Sequence, residues 1–340
     1  MSAESDMMVV AGILPLFHRI VPIVVDEGPA GTATRNYVGQ DRDGVRWFVK
    51  AYPAGADLDA ERRALELGEF ARRGGIPVPG VRRTLDGDLI AAAGGMAVSV
   101  AAYVENAETA KGGLVGDRWA AVGETVGRLH RTLAQHPAGP PRRVPAREVC
   151  DVKRARQRFE RLMACFTDSP PRSEFAVWAR ETAARRLDAL PAVAAMLKAL
   201  PASLTAQIVH GDLSSPNLLL RGQQVAALID FRPPGHRSPV WELGRIVLDP
   251  RTVLAHPDWP AGLANAAAAY QAANPALSEQ ELLAVPPGRR RVPGLLGVSP
   301  VRGRRRPGRG HPGTSGVRPE PACGHGRAAR APRGDRGGAP

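Results

Sequence analysis

The stretch 207–231, QIVHGDLSSPNLLLRGQQVAALIDF, decides the fold. An apolar strand ending at Val209 leads to Asp212, and Asn217 follows after a short loop. A second apolar strand ends at Asp230. A Gly-Asp pair beside a histidine is by itself a weak signal, because it is common in ordinary turns, but here Asn217 and Asp230 each follow or end an apolar strand. The spacing therefore predicts one site that joins Asp212, Asn217 and Asp230.

These three side chains have the chemistry that phosphoryl transfer from a metal-bound nucleotide requires. One carboxylate can orient an attacking hydroxyl and accept its proton, while an amide and a second carboxylate hold the magnesium ions that bridge the phosphates. In-line displacement at phosphorus needs little covalent chemistry from the protein, so the positioning of charge provides most of the catalysis. The pattern indicates a phosphotransferase.

The loop His210-Gly211-Asp212 to Asn217 resembles the HGDxxxxN catalytic loop of aminoglycoside phosphotransferases and choline kinases, the small-molecule relatives of protein kinases. Protein kinases usually carry HRD at this point, so this sequence favours the small-molecule branch. The resemblance covers roughly residues 20 to 285. It implies that Asp212 is the catalytic base, that Asn217 and Asp230 are Mg²⁺ ligands, that His210 braces the loop, and that ATP is the phosphate donor.

A small-residue loop and a strand lysine precede this site in the order of a kinase N-lobe. Gly28 and Gly31 lie in the loop 27–34, EGPAGTAT, and the strand 45–50, VRWFVK, ends at Lys50. The resemblance implies that loop backbone N–H groups cover the phosphates and that Lys50 contacts the α and β phosphates. The full GxGxxG motif is absent, and an ordinary turn and a solvated lysine are the alternative interpretations.

An amphipathic helix is predicted over 58–73, and the two glycines that follow residue 73 indicate its C-terminal end. A kinase fold needs one glutamate from this helix to pair with the strand lysine. Glu61 shares the apolar face, whereas Glu66 lies on a mostly charged face. A glutamate on an apolar face needs a cation, so we expect Glu61 to pair with Lys50 and Glu66 to remain solvated.

The run 96–105, MAVSVAAYVE, predicts a buried strand that leads into a hinge between two lobes. In the family that the catalytic loop resembles, this segment meets the adenine through backbone groups. That resemblance implies contacts at Ala102 and Val104.

Beyond the hinge the pattern becomes helical, with apolar residues every three or four positions from 117 to 133. His130 lies next to that stripe and is expected to be a packing residue. A Pro-rich loop is predicted over 136–148, followed by helices over about 151–166 and 174–199.

The segment after Asp230 departs from the protein-kinase pattern, because two prolines, at 233 and 234, stiffen it. We therefore do not expect a mobile, phosphorylation-controlled activation loop. Glu242 stands where the family often has Asp. We expect it to brace the catalytic loop, with binding of the acceptor as the alternative.

The charge of the chain is unevenly distributed. The net formal charge is +13, yet residues 286–340 hold 13 of the 46 basic residues and only 2 of the 33 acidic ones. That segment therefore carries +11 and residues 1–285 carry only +2. The body of the protein gives no reason to expect a nucleic-acid partner.

The segment 286–340 is rich in Arg, Gly and Pro and lacks apolar periodicity, so we predict a disordered tail. One interpretation is an arginine-rich arm for RNA or anionic surfaces. The favoured interpretation is a reading-frame shift near 285–289 in a GC-rich gene, which would replace ordinary C-terminal helices.

The three cysteines, Cys150, Cys165 and Cys323, show no metal-ligand or disulfide spacing, which is typical of a reducing cytoplasm. The N-terminal run MMVVAGILPLF is too short to span a bilayer, is interrupted by Pro15 and has no preceding positive charge, so it does not resemble a signal peptide. We expect a soluble, cytoplasmic protein without a membrane partner.

Together these patterns predict an α+β chain with a two-lobed protein kinase-like fold, a small β-rich N-lobe over 9–104 and a larger, mostly helical C-lobe over 105–285. The predicted reaction moves the γ-phosphate of Mg-ATP to a hydroxyl of a small molecule, such as an aminoglycoside-type antibiotic, an amino alcohol or a sugar. Two alternatives remain: a nucleotide-binding module without turnover because its acceptor pocket is truncated, and, less favoured, a nucleic-acid binder acting through the arginine-rich segment.

Overall fold

The computed structural model describes residues 3–31, 34–148, 151–168, 173–198 and 200–282. Its helices are α1 (Ala3–His18), α2 (Leu58–Arg73), α3 (Arg118–Leu133), α4 (Val152–Asp168), α5 (Glu174–Lys198), α6 (Pro239–Val247), α7 (Pro250–Val253), α8 (Trp259–Ala273) and α9 (Glu279–Leu282). Its strands are β1 (Pro22–Glu27), β2 (Arg35–Asp41), β3 (Arg46–Tyr52), β4 (Val81–Arg82), β5 (Ala91–Ala93), β6 (Met96–Ala102), β7 (Glu108–Thr109), β8 (Arg142–Pro145), β9 (Ser203–Ile208), β10 (Leu218–Arg221), β11 (Gln224–Leu228) and β12 (His236–Arg237). The main sheet comes first and most helices follow it, which confirms the predicted α+β class.

The main sheet is antiparallel, with the order β1-β2-β3-β6-β4 and with β5 also paired to β6. Side chains alternate along a strand, so Val49 and Lys50 of β3 point to opposite faces. Val49 is fully buried in a core that α1 closes. The α1 side chains in this core are Val10, Ile13 and Leu14. Lys50, paired with Ser99 of β6, is left on the other face, away from that core.

The apolar N-terminal run therefore forms part of α1 and packs on the main sheet. No helix among the described residues is long and apolar enough to cross a membrane.

Helix α2 begins and ends where the sequence signals predicted. The Asp57 carboxylate accepts a hydrogen bond from the N–H of Ala60 and caps the first turn. At the other end, the N–H of Gly74 donates to the carbonyl of Phe70, and Gly75 has a φ of +80° that suits glycine. These two caps fix the ends of the helix that carries Glu61.

The predicted loop over 136–148 is wrong in one part, because it contains β8. This strand pairs antiparallel with β9, from Arg142 opposite Ala206 to Pro145 opposite Ser203. Pro145 lies at the strand end, where a missing N–H is tolerated. The prolines favoured a loop in the sequence, and the pairing comes from a strand about 60 residues further along.

Helices α3 and α8 pack closely because glycine replaces a side chain at their contact. A Cβ at Gly127 would lie 2.8 Å from the Tyr270 carbonyl oxygen, and one at Gly123 would overlap the Ala266 carbonyl. Close backbone approach of this kind requires glycine. It holds Tyr270 beside His130 of α3.

The described residues of 3–152 and 191–282 group into one compact unit, and the described residues of 153–190 belong to a second unit. The main sheet and the segment around Asp212 both belong to the first unit. The lobe boundaries at 9–104 and 105–285 remain predictions, and the segment 286–340 and Cys150 lie outside the described residues.

Candidate active site

Lys50 sits between two carboxylates that come from different elements. Its Nζ lies 2.6 Å from Asp230 Oδ1 and 3.8 Å from Glu61 Oε2 of α2. All three side chains are partly exposed. Glu66, the competing candidate on the same helix, is exposed to solvent. The structure thus brings Lys50, Glu61 and Asp230 together where a charged ligand can reach them.

Asp230 has an uncommon backbone conformation. Its φ is +64°, in the left-handed region that only a few per cent of non-glycine residues adopt. The following ring, Phe231, packs near Gly68 of α2, where a Cβ would stand 3.6 Å from Cδ2 of the ring. A sterically disfavoured conformation held by its neighbours is characteristic of functional positions.

Asp212 is held by two guanidinium groups. Its Oδ1 accepts a hydrogen bond from Arg245 Nη2 at 2.9 Å, and its Oδ2 accepts one from Arg232 Nη2 at 3.1 Å. Partial burial raises the pKa of Asp212, but the hydrogen bonds and charges of Arg245 and Arg232 outweigh burial and lower that pKa overall. The side chain is therefore a carboxylate at neutral pH, able to accept a hydrogen bond from a hydroxyl.

Asn217 links Asp212 to the strand that carries Asp230. Its side-chain Nδ2 donates to the backbone carbonyl of Asp212 at 2.9 Å, and its backbone carbonyl accepts from the Ile229 N–H at 3.0 Å. Because the amide nitrogen is used in this way, the amide oxygen is the atom left to bind a ligand.

The available donor set fits magnesium better than a transition metal. Among the described residues, no group of three or more His, Cys, Asp or Glu side chains is arranged to hold a metal ion. Magnesium is bound by oxygen, commonly through one or two carboxylates together with substrate phosphates and water. The oxygens of Asn217 and Asp230 meet that requirement.

His210 is fully buried and braces the loop rather than facing the site. Its Nε2 lies 2.9 Å from the Ile229 carbonyl, to which it can only donate, and its Nδ1 accepts from the Asp212 N–H at 3.3 Å. These directions assign a neutral ring with the proton on Nε2. Burial lowers the pKa of His210, in agreement with that neutral form.

Gly211 cannot be replaced without moving the loop. Its φ is +91°, and a Cβ there would lie 2.7 Å from Arg232 Cβ. This steric limit explains why glycine stands here.

Glu242 is buried beside the loop 210–217 and accepts three hydrogen bonds. Its Oε1 accepts from the Gly211 N–H at 2.8 Å, and its Oε2 accepts from the His210 N–H at 3.0 Å and from His130 Nε2 at 3.1 Å. Burial raises the pKa of Glu242, but the hydrogen bond from His130 and the other donors lower it overall. Glu242 thus braces the loop, and the alternative role in acceptor binding is not favoured by its burial.

Two residues that the sequence did not single out extend this network to α8. The Tyr270 hydroxyl lies 2.8 Å from His130 Nδ1, and Asn274 Nδ2 donates to the Tyr270 oxygen at 3.1 Å. Since Asn274 supplies the proton of that bond, the Tyr270 hydroxyl is left to donate to His130. The only sequence signal for this link was the position of His130 beside an apolar stripe.

The glycine loop is anchored beside Lys50 but lines a cleft of its own. The Gly28 N–H donates to the Asn36 carbonyl at 2.7 Å, and Asn36 pairs with Lys50 across β2 and β3. The cleft at this loop is lined by Glu27, Gly28, Ala30, Gly31 and residues 34–37, and neither Lys50 nor Asp230 lines it. Residues 32 and 33 of the loop lie outside the described residues.

The predicted hinge has two of its backbone donors already in use. The Ala102 N–H donates to the Gly80 carbonyl at 3.0 Å, and the Tyr103 N–H donates to the Arg46 carbonyl at 3.2 Å. Arg46 also forms an ion pair with Glu105 just beyond Val104. Contacts of Ala102 and Val104 with a nucleotide base remain a prediction, with Val104 the better candidate.

The chain belongs to the phosphotransferase enzyme family, whose sequence model matches residues 26–280. The resemblance carried by the HGDxxxxN loop is therefore confirmed, and the chain is assigned to the small-molecule phosphotransferases. Comparison with curated protein sequences finds no significant match.

Three solved structures that this chain resembles are named as a phosphotransferase or a kinase of a small molecule. Spectinomycin phosphotransferase in complex with ADP and spectinomycin is 13% identical, with 84% of each chain covered and a TM-score of 0.57. An amicoumacin kinase in complex with AMP-PNP, Ca²⁺ and Ami is 17% identical, with 81% of each chain covered and a TM-score of 0.55. A microcompartment-associated aminopropanol kinase is 14% identical over 82% of this chain and 85% of that one, with a TM-score of 0.51. At these identities the likeness establishes the kinase-like fold.

Proposed function

We propose that this protein transfers the γ-phosphate of ATP, bound with Mg²⁺, to a hydroxyl group of a small molecule. The observation that carries the proposal is the convergence of Lys50, Glu61 and Asp230 beside the loop that bears Asp212 and Asn217. A strand lysine paired with a helix glutamate, together with a base and two oxygen ligands, is the constellation that phosphoryl transfer uses in kinases. Two of the solved relatives were crystallised with ADP or AMP-PNP, which supports an adenine nucleotide as donor.

Each residue has a distinct proposed role. Lys50, which pairs with Asp230 in this structure, binds the α and β phosphates instead when nucleotide is present. Glu61 keeps the ammonium group of Lys50 in position. Asn217 and Asp230 hold Mg²⁺, which when bound neutralises charge on the phosphates. Gly28 and Gly31 contribute backbone to the phosphate end, and Ala102 and Val104 contribute backbone to the base.

Asp212 orients the acceptor hydroxyl and receives its proton. The acceptor oxygen forms a bond to the γ-phosphorus while the bond from that phosphorus to the β–γ bridging oxygen breaks, and ADP leaves. Because Arg232 and Arg245 lower the pKa of Asp212, this carboxylate is a weak base. Its main contribution is therefore alignment, with the proton arriving as the new bond forms.

The acceptor is proposed as a hydroxyl-bearing antibiotic, amino alcohol or sugar. Spectinomycin and aminopropanol, named for two structural relatives, both fit this description. No single acceptor is favoured by the fold.

The test is magnesium-dependent formation of ADP and a phosphorylated product with a panel of alcohols, in wild type and in Asp212→Asn. We expect product from at least one alcohol, a loss of about 100-fold or more in kcat in the variant, and unchanged nucleotide binding. Nucleotide binding without product from any alcohol would identify a binding module instead. Equal product from wild type and Asp212→Asn would contradict the assignment of Asp212.

A further inference from the structure

We infer that the acceptor carries an anionic group, a carboxylate or a phosphate, near its reactive hydroxyl, and that Arg245 binds this group. The inference rests on the proposed function and narrows its acceptor class. It also predicts that polycationic acceptors are poor substrates.

The geometry around Asp212 leaves guanidinium donors open. Arg245 and Arg232 each reach Asp212 through one Nη2 atom, on separate carboxylate oxygens. A guanidinium group has five N–H donors. Among the described residues, Asp212 is the only hydrogen-bond acceptor that either group has, and their side chains are 39% and 54% exposed. Several donors of each arginine therefore face solvent next to the position of the reacting hydroxyl.

The local charge favours an anion over a cation. Two guanidinium groups face one carboxylate at Asp212, so the attraction of that carboxylate for an ammonium group is already offset. The neighbouring carboxylates, Asp230 and Glu61, both lie within ion-pair distance of Lys50 rather than of Arg245. At Asp212 itself an ammonium-bearing acceptor would meet two guanidinium groups and one carboxylate, whereas a carboxylate or phosphate could form a bidentate contact with a planar guanidinium.

Arg245 is better suited than Arg232 to bind the acceptor. The hydrogen bond to Asp212 raises the pKa of Arg232, and the charges of Asp230 and Glu61 raise it further, so Arg232 also interacts with the carboxylates assigned to the nucleotide end of the site. Arg245 lies on α6, where its neighbours Leu243 and Ile246 are buried. Glu242 of the same helix fixes the catalytic loop. The helix thus holds Arg245 at a set position relative to Asp212.

The experiment uses three polyols with the same carbon chain and different terminal groups: gluconate (carboxylate), sorbitol (hydroxymethyl) and glucamine (ammonium). Steady-state kcat/KM is measured with Mg-ATP for wild type, Arg245→Ala and Arg42→Ala. We expect wild type to favour gluconate over glucamine by at least about tenfold. Arg245→Ala should reduce this preference by at least about tenfold, mainly through KM for gluconate. Arg42→Ala removes the same formal charge at an exposed turn between β2 and β3, and should keep the wild-type preference.

The binding of each polyol, measured by calorimetry in the presence of Mg²⁺ and a non-hydrolysable ATP analogue, covers the case in which none is turned over. Tighter binding of gluconate that depends on Arg245 then supports the inference. Equal or tighter binding of glucamine would overturn it, as would an Arg245→Ala variant that loses kcat equally with all three polyols, because Arg245 would then serve the transferring phosphate. Efficient phosphorylation of glucamine would sink only this inference, whereas absence of nucleotide binding would sink the proposed function as well.

Discussion

The loop 210–217 and the group of Lys50, Glu61 and Asp230, called here the lysine cluster, are both held by charged side chains, but in opposite environments. Glu242 is buried, and its carboxylate accepts hydrogen bonds from three donors, the N–H groups of His210 and Gly211 and the ring of His130. Lys50 is partly exposed and meets Asp230 closely and Glu61 at 3.8 Å. The first set of contacts is complete without a ligand, whereas the second has room for a different partner.

This difference separates stability from binding. A buried polar group leaves costly unpaired donors when it is removed, while a partly exposed ion pair contributes little to folding because water replaces its partner. We therefore expect the Glu242 network to determine whether the loop is formed. We expect the lysine cluster to determine how tightly the folded protein binds a nucleotide.

The largest expected effect is that of Glu242→Ala. The substitution leaves three buried donors without an acceptor, so the free energy of unfolding should fall by about 3 to 5 kcal/mol. Chemical denaturation monitored by circular dichroism measures it. Glu66→Ala, at an exposed position of α2, is the matched control and should change stability by no more than about 0.5 kcal/mol. Similar losses for the two variants would break the comparison.

The next effect is at the junction of α3 and α8, which holds Tyr270 against His130. In Gly127→Ala the new Cβ would lie 2.8 Å from the Tyr270 carbonyl oxygen, so we expect a loss of about 1 to 3 kcal/mol. Gly12→Ala in α1 is the control, because its Cβ would meet nothing within 4 Å. That change should be neutral or stabilise the helix by up to about 1 kcal/mol. Equal effects at the two glycines would refute the close-packing account.

The buried network also predicts how stability depends on pH. Burial lowers the pKa of His210 below its ordinary value of 6.5, so the unfolded chain binds a proton that the folded chain does not. The stabilising contribution is therefore present above pH 6.5 and is lost as the pH falls below it, by up to about 1.4 kcal/mol per pH unit. Denaturation of His210→Gln between pH 7 and pH 5 should show a shallower slope than wild type. Some slope should remain, because burial also lowers the pKa of His18. Identical slopes would contradict a neutral His210.

The smallest effect on stability is expected in the lysine cluster. Glu61→Gln should change the free energy of unfolding by less than about 1 kcal/mol, because the pair with Lys50 is partly exposed. The same variant should weaken Mg-ATP binding measurably, since the ammonium would be less well positioned. Thermal unfolding with and without nucleotide distinguishes the two readouts. A large fall in the free energy of unfolding of Glu61→Gln without nucleotide would show that the lysine cluster stabilises the fold as the Glu242 network does, and would contradict the prediction.

The sequence predicted best what depends on neighbours along the chain. The C-terminal end of α2 followed from the two glycines after it, and the apolar face of that helix selected Glu61 over Glu66 as the partner of Lys50. The spacing of Asp212, Asn217 and Asp230 sufficed to find the loop, because two strands joined by a tight turn bring these positions together.

The sequence could not reveal what depends on contacts between distant segments. His130 and Tyr270 are 140 residues apart, and the strand β8 exists only because β9 pairs with it. Arg245 reads as a surface residue of α6 until the fold brings it to Asp212, 33 residues away. Contacts between residues so far apart produce no local periodicity, so no pattern in a single sequence predicts them.

The most direct test of the account is a calorimetric titration of Mg-ATP into wild type and Asp230→Asn, with folding checked for both. The account predicts that wild type binds the nucleotide and that the variant, which keeps the shape but loses the carboxylate, binds it at least about tenfold more weakly. Equal affinities in the two proteins, or no binding to a folded wild type, would contradict a nucleotide site built on Asp230 and Lys50.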